Sequence, residues 1–410
     1  MNRKEKLDRL RQMLKSIAPG EGLERVAARA TAESYLGGGL ESLGGERVDE
    51  HFESAQSGIR RVAENADDDD ISDSQLNALE AIVLPRERPV VFIQDNGFKT
   101  PPTPWQHFSR REIKDKITAA IPSVGRIELP DSPWIPYGGT GFVVGDELLM
   151  TNRHVAELFA SGLGERIRFK PGQSAKCDFR EEHQRASAKE NELVVHSVVM
   201  IHPYWDMALL RIKGLSTTHS PLKLSVVPPE DLVGHDVAVI GYPAKDVRND
   251  IKLQDQIFER TYNVKRLHPG KLRERDRIKS FSNEVNALTH DSSTLGGNSG
   301  SAVLDVKSGQ IVGLHFAGIY LKSNYAVPTW ELARDSRVVD AGVNFVGKVP
   351  LTQEWALAWR SAEGIASQTT IPADDEPQKS RPLPRPVDVR ASHSGKITIT
   401  IPLNVTVSLE

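Results

Sequence analysis

Two hydrophobic periodicities divide this chain of 410 residues. Over residues 1–64 apolar positions recur at helical spacing. Leu7, Leu10, Leu14 and Ile17 fall at helical spacing, LERVAARATAESYL follows the turn-like PGEG at 19–22, and EHFESAQSGIRRVAENA sets Phe52, Ile59 and Val62 near one face. This pattern predicts helices. DDDD at 67–70 is too charged to bury and reads as a solvated linker. SQLNALEAIV gives one more short helix, PVVFIQD at 89–95 reads as a strand, and PPTPW at 101–105 is a stiff break.

From about 113 to 350 the period shortens. GTGFVV, LLMTN, LVVHSVVMI, DMALLRI, DVAVIGY, GSAVLDV and QIVGLHF are short β-rich runs separated by Gly, Pro, Asn and Asp. Many short strands at such spacing predict an all-β barrel or sandwich. TQEWALAWRSAEG at 352–364 is expected to close it as a helix, and the prolines of 367–390 predict an extended linker. Strict alternation from Ile397 to Leu409, interrupted at Pro402, predicts a half-buried strand. Such a strand can pair within the chain, with 89–95 as a candidate, or add to a sheet edge of another chain. The expected organisation is a helical accessory domain over 1–84, a connecting strand and linker over 85–112, a β domain over 113–366, a Pro-rich linker over 367–390 and a strand tail over 391–410.

Composition narrows the function. Lys and Arg number 52 against 55 Asp and Glu, a net charge of −3, so no global basic field argues for nucleic acid. The single cysteine, Cys177, excludes an intramolecular disulfide and a multi-cysteine zinc site. MNRKEKLDRLRQMLKS lacks the apolar core of a secretory signal, and no apolar run approaches a membrane span. A cytoplasmic protein without metal or other cofactor is expected.

Three motifs in order carry the chemistry. GGTGFVVGDELLMTNRHV leads through two strands to His154; YWDMALLRI places Asp206 at the head of an apolar strand; STLGGNSGSAV sets Ser299 among glycines. A serine hydroxyl is a weak nucleophile near neutral pH and needs an adjacent base. Histidine supplies it, and a carboxylate fixes its tautomer and stabilises the imidazolium. Gly297 and its neighbours can turn tightly and aim backbone N–H groups at a developing oxyanion.

TNRHV, DMALL and GGNSGS, in the chain order His, Asp, Ser, resemble the chymotrypsin-fold (trypsin-like) serine proteases over about 230 residues. The resemblance implies two antiparallel six-stranded β-barrels, here preceded by a small α-helical domain. It makes His154 the general base, Asp206 its orienting carboxylate, Ser299 the nucleophile, and the backbone amides of Gly297 and Ser299 the oxyanion hole. Where digestive trypsins carry an aspartate before the serine, this chain has Asn298, so activation by a new amino terminus is not expected. The chain is more similar to the bacterial glutamyl-endopeptidase and HtrA-type branch.

Six residues before the nucleophile stands Ser293, not the aspartate that would favour Arg or Lys substrates. Thr294 and His315, in STLGGNSGS and IVGLHFAG, match the pair with which glutamyl endopeptidases hold a substrate carboxylate. Acidic P1 preference is one reading and a small or apolar P1 the other. His290 and Asp291 read as pocket-wall or turn residues, and the Lys- and Arg-rich stretch 264–280 as a solvated loop between strands. The expected partner is a polypeptide substrate, with a protein partner for the N-terminal helices or the C-terminal strand. Two roles follow: a serine endopeptidase regulated by its helical domain, or an adaptor in which those flanks bind and proteolysis is dispensable.

Overall fold

The computed structural model describes residue 8 and residues 88–368, apart from 133–134, 136, 186–190, 247–250 and 320–322. The helices expected over 1–84, the linker over 367–390 beyond residue 368 and the strand tail over 391–410 lie outside the described residues. Within them the chain is mainly β. In chain order the strands are β1 (Val91–Gln94), β2 (Gly97–Phe98), β3 (Val124–Glu128), β4 (Tyr137–Gly145), β5 (Leu148–Thr151), β6 (Ala160–Ser161), β7 (Arg168–Phe169) and β8 (Lys176–Asp178). β9 (Glu192–Ile201), β10 (Ala208–Ile212), β11 (Asp236–Gly241), β12 (Arg266–Ser280), β13 (Asn283–His290), β14 (Ala302–Asp305), β15 (Gln310–Ile319) and β16 (Ser323–Pro328) follow. Helices are α1 (Arg111–Ala120), α2 (Arg153–Phe159), α3 (Ile251–Ile257), α4 (Thr329–Ala333), α5 (Ser336–Asp340) and α6 (Ala356–Gln368).

β10-β5-β4-β3-β8-β9 form a closed antiparallel barrel. β11-β14-β15-β16-β13-β12 form a second ring, closed by β11 pairing with β12, and the β1–β2 hairpin hangs from β12. The expected pair of six-stranded antiparallel barrels is therefore present. Each of the seven β-rich runs singled out above contributes a strand, because in a pleated strand every second side chain faces the barrel interior and must be apolar. Ile127, Val143, Leu149, Val155, Phe159, Phe179 and Leu210 fill the first barrel. Val237, Val239, Leu272, Leu288, Val303 and Ala326 pack inside the second. Burying each such side chain contributes about 1.5–3 kcal/mol.

The Lys- and Arg-rich stretch is a correction: residues 266–280 form the long strand β12, not a loop. Lys265, just before this strand, and Arg266, its first residue, are buried, which no alternation of apolar residues announces. Lys265 donates to the carbonyls of Ile121 (3.0 Å) and Phe179 (2.7 Å), and burial lowers its pKa to about 8. Arg266 donates to Phe258 O (2.7 Å) and Thr261 O (2.9 Å) and stacks over Phe92 at 3.3 Å. Among the described residues no helix is long and apolar enough to cross a membrane, and no cluster of three or more His, Cys, Asp or Glu side chains is placed to hold a metal ion. Cys177 is buried and free, with its thiol pKa pushed well up by burial.

Candidate active site

β5 ends at Thr151, and Asn152 opens α2, which carries His154 in its first turn. Asp206 lies on the turn before β10 and is almost fully buried, with 5% of its side chain exposed against 39% for His154. The carboxylate meets His154 twice: Oδ2 lies 2.7 Å from Nδ1, and Oδ1 accepts the backbone N–H at 3.0 Å. Asn152 Nδ2 donates to the Asp206 carbonyl at 2.8 Å and fixes the turn from behind. With the carboxylate on Nδ1, the Nδ1 proton is held there and the Nε2 lone pair is left for a proton acceptor's work.

Ser299 belongs to the loop between β13 and β14. Thr140 of β4 ties this loop to the first barrel: its N–H donates to Ser299 O (2.7 Å) and its hydroxyl to Gly297 O (2.9 Å). Thr151, three residues before His154, donates in turn to Thr140 O at 2.7 Å. The three sequence motifs thus meet through side chains of the first. Gly139 makes this approach possible, because a Cβ there would lie 2.6 Å from Ser299 O and 2.9 Å from the Val155 side chain. Among the described residues the Ser299 hydroxyl has no hydrogen-bond partner. Such contacts commonly tighten only when substrate is bound.

The glycines have separate causes. Gly297 adopts φ +83°, and a Cβ would fall 2.3 Å from Tyr242 O. The preceding carbonyl, Gly296 O, accepts from Ala244 N at 2.6 Å. Since a trans peptide sets C=O and N–H on opposite sides, this anchor turns the Gly297 N–H away from Ala244. Asn298 is fully buried; its Oδ1 accepts from Ser301 Oγ at 3.4 Å, and its Nδ2 has no partner among the described residues.

Thr294 belongs to the same loop as Ser299, and His315 of β15 is bonded to that loop through Gly300 N and Ser301 O. The Thr294 hydroxyl donates to Asn324 Oδ1 (2.5 Å), whose amide nitrogen donates to Ser292 O (2.5 Å). Nδ1 of His315 lies 3.2 Å from Nε2 of His290, so the two buried rings are joined. Asp291 instead turns outward, accepting from Lys271 N and from both Nε and Nη2 of Arg273.

Residues 139–314 match the family model of the trypsin-like peptidase domain. The chain carries a trypsin-like peptidase domain. It is 26% identical over 196 residues to a glutamyl endopeptidase of Staphylococcus epidermidis, a match covering 46% of this chain and 57% of that protein. A probable serine protease of Lysobacter enzymogenes is 28% identical over 239 residues, covering 52% of this chain and 60% of the other. The chain thus spans little more than half the length of the curated relatives it matches. A solved protease of M. tuberculosis, in its active form, is 20% identical, with 58% of this chain and 86% of that one covered and a TM-score of 0.37.

The peptidase domain also holds residues that spacing did not flag. His268 of β12 is buried beside the loop that carries Ser299, its Nδ1 2.5 Å from Ser293 O. A carbonyl only accepts, so His268 carries its proton on Nδ1. His268, His290 and His315 come from β12, β13 and β15, and only closure of the second barrel gathers them. Burial lowers His268 to about 3 and His290 to about 4, and drives His315 well below the usual histidine range. All three are neutral at pH 7.

A pH dependence follows. Between about pH 6.5 and these depressed values the unfolded chain binds more protons than the folded one, so stability rises with pH. The contribution is present in full above about 6.5 and is lost as pH falls towards 4 and then 3. The melting temperature of the peptidase domain is expected to fall by several degrees between pH 7 and 4.5. His290→Gln, which cannot titrate, should flatten that slope in a calorimetric series; an unchanged slope would remove the cluster as its cause.

Proposed function

We propose that the chain is a serine endopeptidase acting on polypeptides through His154, Asp206 and Ser299. The observation that carries this reading is the double contact of Asp206 with His154, at 2.7 and 3.0 Å, with a glycine-flanked serine that Thr140 holds against β4, the strand paired with the one leading into His154. Ser299 Oγ attacks the scissile carbonyl while its proton passes to His154 Nε2. Asp206 stabilises the imidazolium, and the N–H groups of Gly297 and Ser299 receive the oxyanion. His154 then protonates the leaving amine, and water hydrolyses the acyl-enzyme by the reverse use of the same base.

The reading extends to an acidic P1 residue, and tautomers support it. If His315 donated Nδ1–H to His290 Nε2, the His290 proton would sit on Nδ1 as a buried donor without a partner. Buried orphan donors are rarer than orphan acceptors. The favoured arrangement has His290 Nε2–H donating to His315 Nδ1, which leaves His315 Nε2–H free to donate to a substrate carboxylate. Thr294 has committed its proton to Asn324 and shapes the pocket beside it. Regulation through the helices expected over residues 1–84 belongs to the same proposal, on the strength of their amphipathic spacing.

Cleavage of a peptide series varied at P1 tests this, with the full-length protein. A charge-assisted hydrogen bond contributes about 1.5–3 kcal/mol, so P1 Glu is expected to exceed P1 Gln by ~10–100-fold in kcat/KM. His315→Leu should erase that ratio and leave P1 Ala little changed. A wild-type preference for apolar P1 would discard the acidic pocket and keep the triad.

A further inference from the structure

Behind Asp206 lies a second histidine–carboxylate pair that the chemistry above does not use. His202 is fully buried and Asp335 is 5% exposed. His202 Nδ1 accepts the backbone N–H groups of Tyr204 and Trp205, both at 3.0 Å, and its Nε2 lies 3.1 Å from Asp335 Oδ2. Two backbone donors on Nδ1 fix the tautomer: the proton sits on Nε2 and is donated to Asp335. Asp335 Oδ2 also accepts Trp359 Nε1–H of α6 at 2.8 Å, and Oδ1 accepts Arg337 N at 2.9 Å at the head of α5. The rings of Trp355 and Trp359 stand edge-on to His202 at 6.0 and 5.1 Å.

The turn that His202 grips is short. His202 N donates to Met207 O (2.9 Å) and Met207 N to Trp205 O (2.8 Å), so Asp206 sits inside a loop closed on both sides of His202. The Asp206 carboxylate must serve two donors of His154 at once, which leaves little tolerance for rotation of the peptides before it.

We propose that His202 is a positioning residue: held in its Nε2–H tautomer by Asp335, it fixes through Nδ1 the turn that aims Asp206 at His154. This rests on reading Asp206 as the partner of the catalytic base. A pair that served the core alone would change stability without changing turnover of the folded fraction.

Amide side chains separate the two ring nitrogens. In His202→Asn, Oδ1 takes the place of Nδ1 and keeps Tyr204 and Trp205 while losing Asp335. In His202→Gln, Nε2 takes the place of the ring Nε2 and keeps Asp335 while losing the acceptor. Asp335→Asn has one oxygen for three donors: kept on Arg337 N, it turns the amide N–H₂ towards His202 Nε2–H and Trp359 Nε1–H, and the clash at His202 is relieved by moving its proton to Nδ1, against the two backbone donors.

The test measures kcat and KM in the full-length variants, with active sites counted by a serine-directed phosphonate. A displacement of about 1 Å at the reacting groups costs about 10²-fold, so H202Q and D335N are each expected to lose ~10–100-fold in kcat with KM within ~3-fold. H202N is expected within ~3-fold of wild type, and H202N/D335N should recover most of what D335N loses. If H202Q fails to fold, D335N and its rescue carry the comparison. Equal loss in H202N and H202Q, or D335N without rescue, overturns the proposal. The far-downfield proton of the His154–Asp206 bond, followed by NMR, gives a readout without turnover: it should be perturbed in H202Q and kept in H202N. Hydrolysis that survives Ser299→Ala would instead overturn the reading of the site, while the NMR comparison would still judge His202.

Discussion

Replacing Ser299 with alanine is expected to lower peptide hydrolysis by about 10⁵–10⁶-fold while the protein folds as before. The first half follows from chemistry. Without Oγ there is no acyl-enzyme, and what remains is the oxyanion hole and binding, which act on an unassisted water. The second half follows from the structure: the Ser299 hydroxyl has no hydrogen-bond partner among the described residues, and the loop is held by its backbone, through Ser299 O to Thr140 and Gly300 N to His315 O. The melting temperature is therefore expected to stay within about 2 °C of wild type. Progress curves on the best peptide of the P1 series, with calorimetry alongside, check both halves. Residual hydrolysis above a thousandth of wild type would show that Ser299 is not the nucleophile.

Asp206→Asn is expected to lower kcat by about 10⁴-fold without displacing the side chain. The cause is a conflict of donors. Asp206 offers one oxygen to the His154 backbone N–H and the other to Nδ1. Asparagine has a single oxygen, and the backbone N–H, which can only donate, claims it. The amide N–H₂ then faces Nδ1, which must accept, so the His154 proton moves to Nε2 and the base loses the lone pair that would receive the serine proton. The loss should be relieved partly at high pH, where a more basic environment assists the serine directly, and KM should change little. A pH series of kcat and KM for the variant checks this; a loss confined to KM would place Asp206 in binding, not in the proton path.

Much of the site was legible in the sequence because its chemistry is local. TNRHV, YWDMALL and GGNSGS each pack a reactive side chain and the backbone that bends around it into a few residues. Gly297 is an example: its φ of +83° and the nearness of Tyr242 O require glycine, and the sequence shows glycine. The strands were legible for a related reason, since burial on one face repeats every second residue.

What escaped lies in pairs far apart in the chain. β8, β13 and β16 carry weaker apolar patterns and became visible only as partners of stronger strands. Residues 264–280 read as solvated because charge dominates them, yet Lys265 and Arg266 are buried where backbone carbonyls from three other segments converge. Asn324 gave no signal, although it holds Thr294.

By itself, then, the sequence determined which groups are candidates to react, their order, and the β character of the domain that holds them. Those properties depend on residue type and short spacing. Tertiary structure alone decided that Thr140 would join the serine loop to the strand that leads into His154, and that three histidines from β12, β13 and β15 would be gathered together. It decided too that His202 would be clasped between Asp335 and the Asp206 turn. The physical reason is that a buried polar atom must find its partner wherever barrel closure brings one, and that partner can lie more than a hundred residues away.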